Sequence, residues 1–229
     1  MEEPVELPPH RVALSAAVNR LGHLLVDREI EPDAAAQLTE TLEAIADGLA
    51  SEPSQRLKQL VHPRNRIATF VKSGRWPDPP PSGAEIEFDP VSLVGGVLNP
   101  FTMGARYFRD GDEAVGRVTL GPCFEGPPER AHGGVICAVF DEVLGSVFRA
   151  TGSPSAFTGE LTVRFEKPAP LGVELEFRGR RVDTAGRRRF LEGEATGPDG
   201  VFATARAIFI DMAPEHLMPD EPTPEPPNA

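Results

Sequence analysis

Ala131-His132-Gly133-Gly134-Val135-Ile136-Cys137-Ala138-Val139-Phe140-Asp141-Glu142-Val143-Leu144-Gly145 is the stretch on which the fold turns. A His-Gly-Gly turn opens a strongly apolar segment that carries a carboxylate, Asp141, inside it. An acid in a buried stretch is costly unless it is paired or used. Two glycines ahead of a helix let backbone N–H groups approach a ligand closely. An oxyanion hole and a carboxylate are the parts of an acyl-transfer site. The apolar positions run round most of the helix expected over about 133–150, so it must be covered on nearly all sides. On that helix Asp141 neighbours Cys137, Ala138, Leu144 and Gly145, mostly small residues that leave a substrate chain room to approach. Cys137 reads as core. Glu142 points about 100° away, towards Ser146 and Arg149, and reads as solvated or ion-paired.

Strands flank the helix on both sides. Asp110-Gly111-Asp112 is a turn between short strands near 104–109 and 113–120. After the helix, Phe157, Gly159, Leu161, Val163 and Phe165 alternate with Thr158, Glu160, Thr162, Arg164 and Glu166, a period-two strand with one buried face. Val173, Leu175 and Phe177 continue the pattern. The turns Thr184-Ala185-Gly186 and Gly197-Pro198-Asp199-Gly200 lead to strands around 187–196 and 201–211. Two strands, one long apolar helix and four strands imply an α+β domain, a curved antiparallel sheet wrapped round one central helix, over residues 85–212.

Residues 1–84 read as a helical extension and linker. One helix covers about Ala13 to Val26. A second starts at Pro32 and carries the apolar stripe Leu38, Leu42, Ile45 and Leu49. Residues 53–77 hold no Asp or Glu but carry Arg56, Lys58, Arg64, Arg66, Lys72 and Arg75, a connector for acidic surface or an anion-binding segment. Residues 213–229, with six prolines and four acids, read as a disordered tail. The formal net charge of −12 disfavours general binding to nucleic acid or anionic membranes. Two cysteines without ligand spacing suggest a reduced, cytoplasmic protein. No basic-then-apolar leader opens the chain, and the apolar runs 91–104 and 131–140 are too short to span a bilayer. No His/Cys/carboxylate cluster has metal-ligand spacing, so no metal or other cofactor is expected.

The order His132-Gly133-Gly134, Asp141, the strand Thr158-x-x-Leu161-x-Val163-x-Phe165 and the corner Lys167-Pro168-x-Pro170-Leu171-Gly172 resembles the hotdog-fold acyl-CoA thioesterases of the phenylacetate-degradation type. The branch with mammalian thioesterase-superfamily members and many actinobacterial proteins is the nearest. The likeness spans about 97–212. It implies an enzyme hydrolysing fatty or aromatic acyl-CoA, a homodimer or dimer of dimers, with sites at the subunit interface. The Gly134 N–H would polarise the thioester carbonyl, and Gly133 would permit its approach. Asp141 would be the base on water or the nucleophile. Thr158 would reach in from the other subunit, and His132 would shape the loop and hydrogen-bond near the thioester. Where some branches place a water-orienting amide, this chain has Gly126, next to Glu125.

Arg178, Arg180, Arg181, Arg187, Arg188 and Arg189 flank one hairpin, either a solvated strand face or a dock for coenzyme A phosphates. Arg164, Lys167, Arg180 and Arg181 are the candidates for that role. Phe140, Phe148 or Phe157 would line an acyl tunnel. Two rival readings use the same fold. One is a non-catalytic acyl-CoA sensor, for which no helix-turn-helix is evident. The other is a hydratase, which places its Asp/His pair on a different segment.

Overall fold

The structure, a computed structural model, describes residues 7–53, 69–70 and 73–211. The expected tail and most of the basic 53–77 segment lie outside those residues. Among the described residues nine principal elements follow one another: α1 (Pro9–Asp27), α2 (Pro32–Ala50), β1 (Arg106–Asp110), β2 (Glu113–Thr119), α3 (Gly133–Ala150), β3 (Ala156–Phe165), β4 (Glu174–Ala185), β5 (Arg188–Gly197) and β6 (Gly200–Asp211). The strands form one antiparallel sheet in the order β1-β2-β4-β5-β6-β3. This is the hotdog architecture. The hairpin turns sit where glycine takes a positive φ: Gly111 at 59°, Gly186 at 58° and Gly200 at 86°.

Helix α3 is seated in a trough of small residues. Ala114, Gly179, Gly193 and Ala205 are successive partners across β2, β4, β5 and β6. A Cβ on Gly179 would meet Leu144 at 3.0 Å, and one on Gly193 would meet Phe140 at 3.2 Å. Gly116 lies so close under Val143 that a Cβ there would overlap it at 2.4 Å. Ile136, Val139, Phe140, Val143, Leu144, Val147 and Phe148 pack from the helix onto Leu175, Phe177, Leu191, Phe202 and Phe209. Full burial of such side chains contributes about 1.5–3 kcal/mol each. The cover is incomplete: Gly134, Cys137, Ala138, Asp141 and Gly145 form a stripe that stays partly exposed. Cys137, on that stripe, is only partly buried and is therefore not core.

The N-terminal helices depart from their sequence pattern. Helix α1 turns a polar stripe, Ser15, Asn19 and His23, towards the domain, while Leu14, Val18, Leu24 and Leu25 are exposed. Asn19 and His23 bond loop backbone, which outweighs the leucines' preference for burial. Helix α2 buries no residue, and Leu42, Ile45 and Leu49 of its stripe are exposed. Ser15 is 7% exposed, and its hydroxyl finds no partner among the described residues. Such an unsatisfied group costs about 1–3 kcal/mol, and alanine is the better helix former. Ser15→Ala is accordingly expected to match or exceed the wild-type melting temperature in a thermal scan. A clear loss of stability would mean that the hydroxyl is satisfied.

Candidate active site

The first turn of α3 is built by His132. Its backbone is extended (φ −65°, ψ 135°), and its Nδ1 accepts the Gly134 N–H at 3.0 Å, an N-cap contact. The His132 carbonyl accepts from Val135 and Ile136. The donor expected to face the thioester, Gly134 N–H, is thus taken by the preceding imidazole. Among the described residues, the Gly133 N–H meets no acceptor, so it is the donor this turn leaves open. Phe165 lies over Gly133, where a Cβ would come within 3.4 Å of its ring.

Two turns further along, the Thr158 hydroxyl donates to Asp141 Oδ1 at 2.6 Å. The expectation that Thr158 arrives from another subunit is corrected by this bond, since β3 of the same chain supplies it. A bulge between Thr158 and Glu160 shifts the register there. Asp141 and Thr158 line a cavity of about 270 Å³ with Phe88, Gly145, Phe148 and Phe157. Of the three phenylalanines expected in an acyl tunnel, Phe148 and Phe157 line this cavity. Phe140 does not: it is fully buried edge-on against Phe177.

Of the two readings for Glu142, solvated or ion-paired, the second is nearer: it is partly buried and feels the charge of Arg149, but its hydrogen bonds go to residues the sequence does not point to. Ser92 Oγ donates to its carboxylate at 2.7 and 2.6 Å, and the Tyr107 hydroxyl donates at 2.6 Å. Burial raises the Glu142 carboxyl above the usual range, against the lowering effect of those two hydrogen bonds. Burial, then the charge of Glu142, raises the Tyr107 phenol. Arg149 lies over Phe88 at 4.4 Å and donates to the Glu87 carbonyl, and burial pushes its guanidinium down to about 10. Tyr107 is the only tyrosine in the chain, and its place on a short strand was the one available hint.

The loop before α3 is held by contacts within itself, with α1 and with the 169–170 segment. A Cβ on Gly126 would meet the His132 Cα at 2.8 Å, so no side chain can replace the absent amide there. Glu125 Oε1 accepts the Glu129 N–H at 2.6 Å, a contact that closes the turn. Gly126 thus projects no group for chemistry, and Glu125 is engaged through one of its two carboxylate oxygens.

The four cations proposed for coenzyme A are not brought together. Arg164 pairs with Glu166 and Arg180 with Glu192, both on the sheet face away from α3. There, with Arg178 and Arg206, they line a separate cavity of about 580 Å³. Lys167 donates to the Asp199 carbonyl, and Arg181 to Ser153. Within the same hairpin, Arg178 is shared by Asp110, Glu113 and Glu176, and Arg189 binds Asp211. This arginine cluster ties strands together by intramolecular ion pairs. Among the described residues no three His, Cys, Asp or Glu side chains group as metal ligands, and no helix is long and apolar enough to cross a membrane.

Comparisons with known proteins find similarity to thioesterases. The thioesterase superfamily model matches residues 129–202, from the loop before His132 into β6. The acyl-coenzyme A thioesterase THEM4 of Xenopus laevis is 28% identical over 174 residues, covering 69% of this chain and 77% of that protein. The protein of the same name from Bos taurus is 30% identical over 119 residues, covering 49% and 48%. A crystal structure of a thioesterase superfamily protein superposes with a TM-score of 0.70 at 21% identity, covering 92% of this chain and 94% of that one.

Proposed function

We propose that this protein hydrolyses acyl-CoA thioesters, with Asp141 as general base and the α3 N-terminal turn as oxyanion hole. That it is a thioester hydrolase rests on the family match and on relatives named acyl-coenzyme A thioesterases. The observation that carries the mechanism is the Asp141–Thr158 pair at the mouth of an aromatic-lined cavity. Thr158 holds Oδ1, which leaves the other carboxylate oxygen to take a proton from water. The water oxygen bonds to the thioester carbon, negative charge moves to the carbonyl oxygen, and collapse of that intermediate expels coenzyme A as thiolate. A thiolate leaves readily, so no strong general acid is required. Donors at a helix N-terminus suit the developing oxyanion.

Distance along the helix favours a paired assembly. Eight residues separate Gly133 from Asp141, about 12 Å at 1.5 Å per residue. One carbonyl group cannot contact both at hydrogen-bond range. A second copy running antiparallel, with its own glycine turn beside this chain's Asp141, removes the difficulty. Strand β3 fits that role: it is an edge strand of 10 residues with Phe157 and Phe165 half exposed, beside the open stripe of α3. In this arrangement the oxyanion turn, rather than Thr158, comes from the partner.

The test is release of free thiol from a panel of short, medium, long and aromatic acyl-CoAs. Turnover of at least one member is expected, with preference for an acyl group that fits a cavity of about 270 Å³. Binding of acyl-CoA without turnover of any member would overturn the enzymatic reading in favour of a sensor.

A further inference from the structure

Helix α1 touches both loops that frame the site, and it does so through side chains rather than through its leucines. His23 Nδ1 accepts the Cys123 N–H at 3.2 Å. The imidazole lies on the Gly121 backbone, where a Cβ would sit 2.8 Å from the ring, and it packs edge-on to Phe124 at 5.3 Å. The Phe124 carbonyl in turn accepts the His132 N–H at 2.8 Å. His132 Nδ1 then holds the Gly134 N–H. Three contacts in series therefore lead from α1 to the glycine turn: His23 to Phe124, Phe124 to His132 and His132 to Gly134. One helical turn earlier, Asn19 Nδ2 donates to the carbonyls of Pro100 and Thr102, both at 3.0 Å. Thr102 Oγ1 bonds the Val94 carbonyl, in the same loop whose Ser92 holds Glu142 beside Asp141.

We infer that α1 is a clamp that fixes the approach to α3, with His23 and Asn19 as positioning residues for the hydrolysis proposed above, a reading on which the catalytic part of this inference rests. A residue four places from another on a helix shares its face, so Asn19 and His23 act as one rigid fork reaching two loops. The fork holds backbone groups, and backbone groups form the oxyanion turn. Neither side chain touches the substrate cavity. Their effect reaches the chemistry only through the position of His132 and the loop at Glu142.

The experiment compares His23→Ala with His23→Asn, whose side-chain oxygen can take the place of Nδ1. Steady-state kinetics and amide hydrogen exchange of the 121–134 segment are measured on the full chain. His23→Ala is expected to lower kcat about tenfold with KM changed less than about threefold, since small misplacements of reacting groups cost rate before binding. Its 121–134 amides should exchange faster while the melting temperature stays near the wild-type value. His23→Asn should recover most of both losses. Wild-type kcat and exchange in His23→Ala, or a defect that Asn leaves unrepaired, would overturn the clamp. If the wild type hydrolyses no acyl-CoA, the proposed function fails first and exchange alone decides: unchanged protection of 121–134 overturns the clamp, and faster exchange reversed by Asn supports it.

Discussion

Asp141→Asn is expected to keep the fold and lower kcat by about 10²–10⁴ on whichever acyl-CoA the wild type turns over, the usual worth of a positioned general base. The asparagine carbonyl can still accept the Thr158 hydroxyl, which in the wild type reaches Asp141 at 2.6 Å, so β3 and α3 stay in place. What disappears is the oxygen able to take a proton. KM should change little, because the cavity walls are Phe88, Phe148, Phe157 and Gly145. The check is free-thiol release beside a thermal melt and circular dichroism. A variant with native melting and kcat within about threefold of the wild type would remove Asp141 from the chemistry.

The second large effect concerns stability and separates two substitutions at one position. Glu142→Ala deletes the acceptor that serves Ser92 and Tyr107. Two hydroxyls are then left in a poorly hydrated site, at a cost of about 2–4 kcal/mol. For a chain of this size that lowers the melting temperature by roughly 5–15 °C. Glu142→Gln behaves differently. Its carbonyl oxygen still accepts, and no charge has to be buried. The direction of the pH dependence follows from the raised Glu142 carboxyl. The folded state binds that proton more tightly than the unfolded chain does. This group therefore favours folding most at acid pH, and the contribution is lost as pH rises from the unfolded value through the raised folded one. Glu142→Gln should flatten this part of the stability–pH curve and melt at or above the wild-type temperature at pH 7. Denaturant melts across pH decide the matter. A Gln variant as unstable as the Ala variant would show that the network requires the charge.

Local chemistry explains what could be read from the sequence. The His-Gly-Gly turn, the apolar run behind it and the period-two strands each encode their element within a few residues. The three hairpin glycines with positive φ mark corners that other residues rarely adopt. Asp141 stood out for the same reason, as an acid in an apolar helix. Glu142 did not, because its partners lie 50 and 35 residues upstream and no local pattern announces them. The pairing of the arginine hairpin was hidden for a related reason. Arg178 finds Asp110 and Glu113 across the sheet, through a strand register that only the folded chain reveals. Helix α1 carries an ordinary leucine-rich pattern, yet bonds to loop backbone placed its polar side inwards. At the first turn of α3 the Gly134 N–H is held by His132, two residues before it, while the Gly133 N–H stays open, a pairing the sequence alone does not announce.

The seat of Asp141 and Thr158 on one chain has a genetic consequence. If the partner copy lends the glycine turn, each site has two parents, and its parts are inherited unequally. The acid and the hydroxyl that holds it travel together, so defects at Asp141 and Thr158 carried by separate chains would leave no site of a mixed assembly with a sound pair facing them both. A chain damaged only in its glycine turn and a chain damaged only at Asp141 could instead rebuild one working site between them. Alleles of this protein would then sort into two complementation groups, divided between the first turn of α3 and the third.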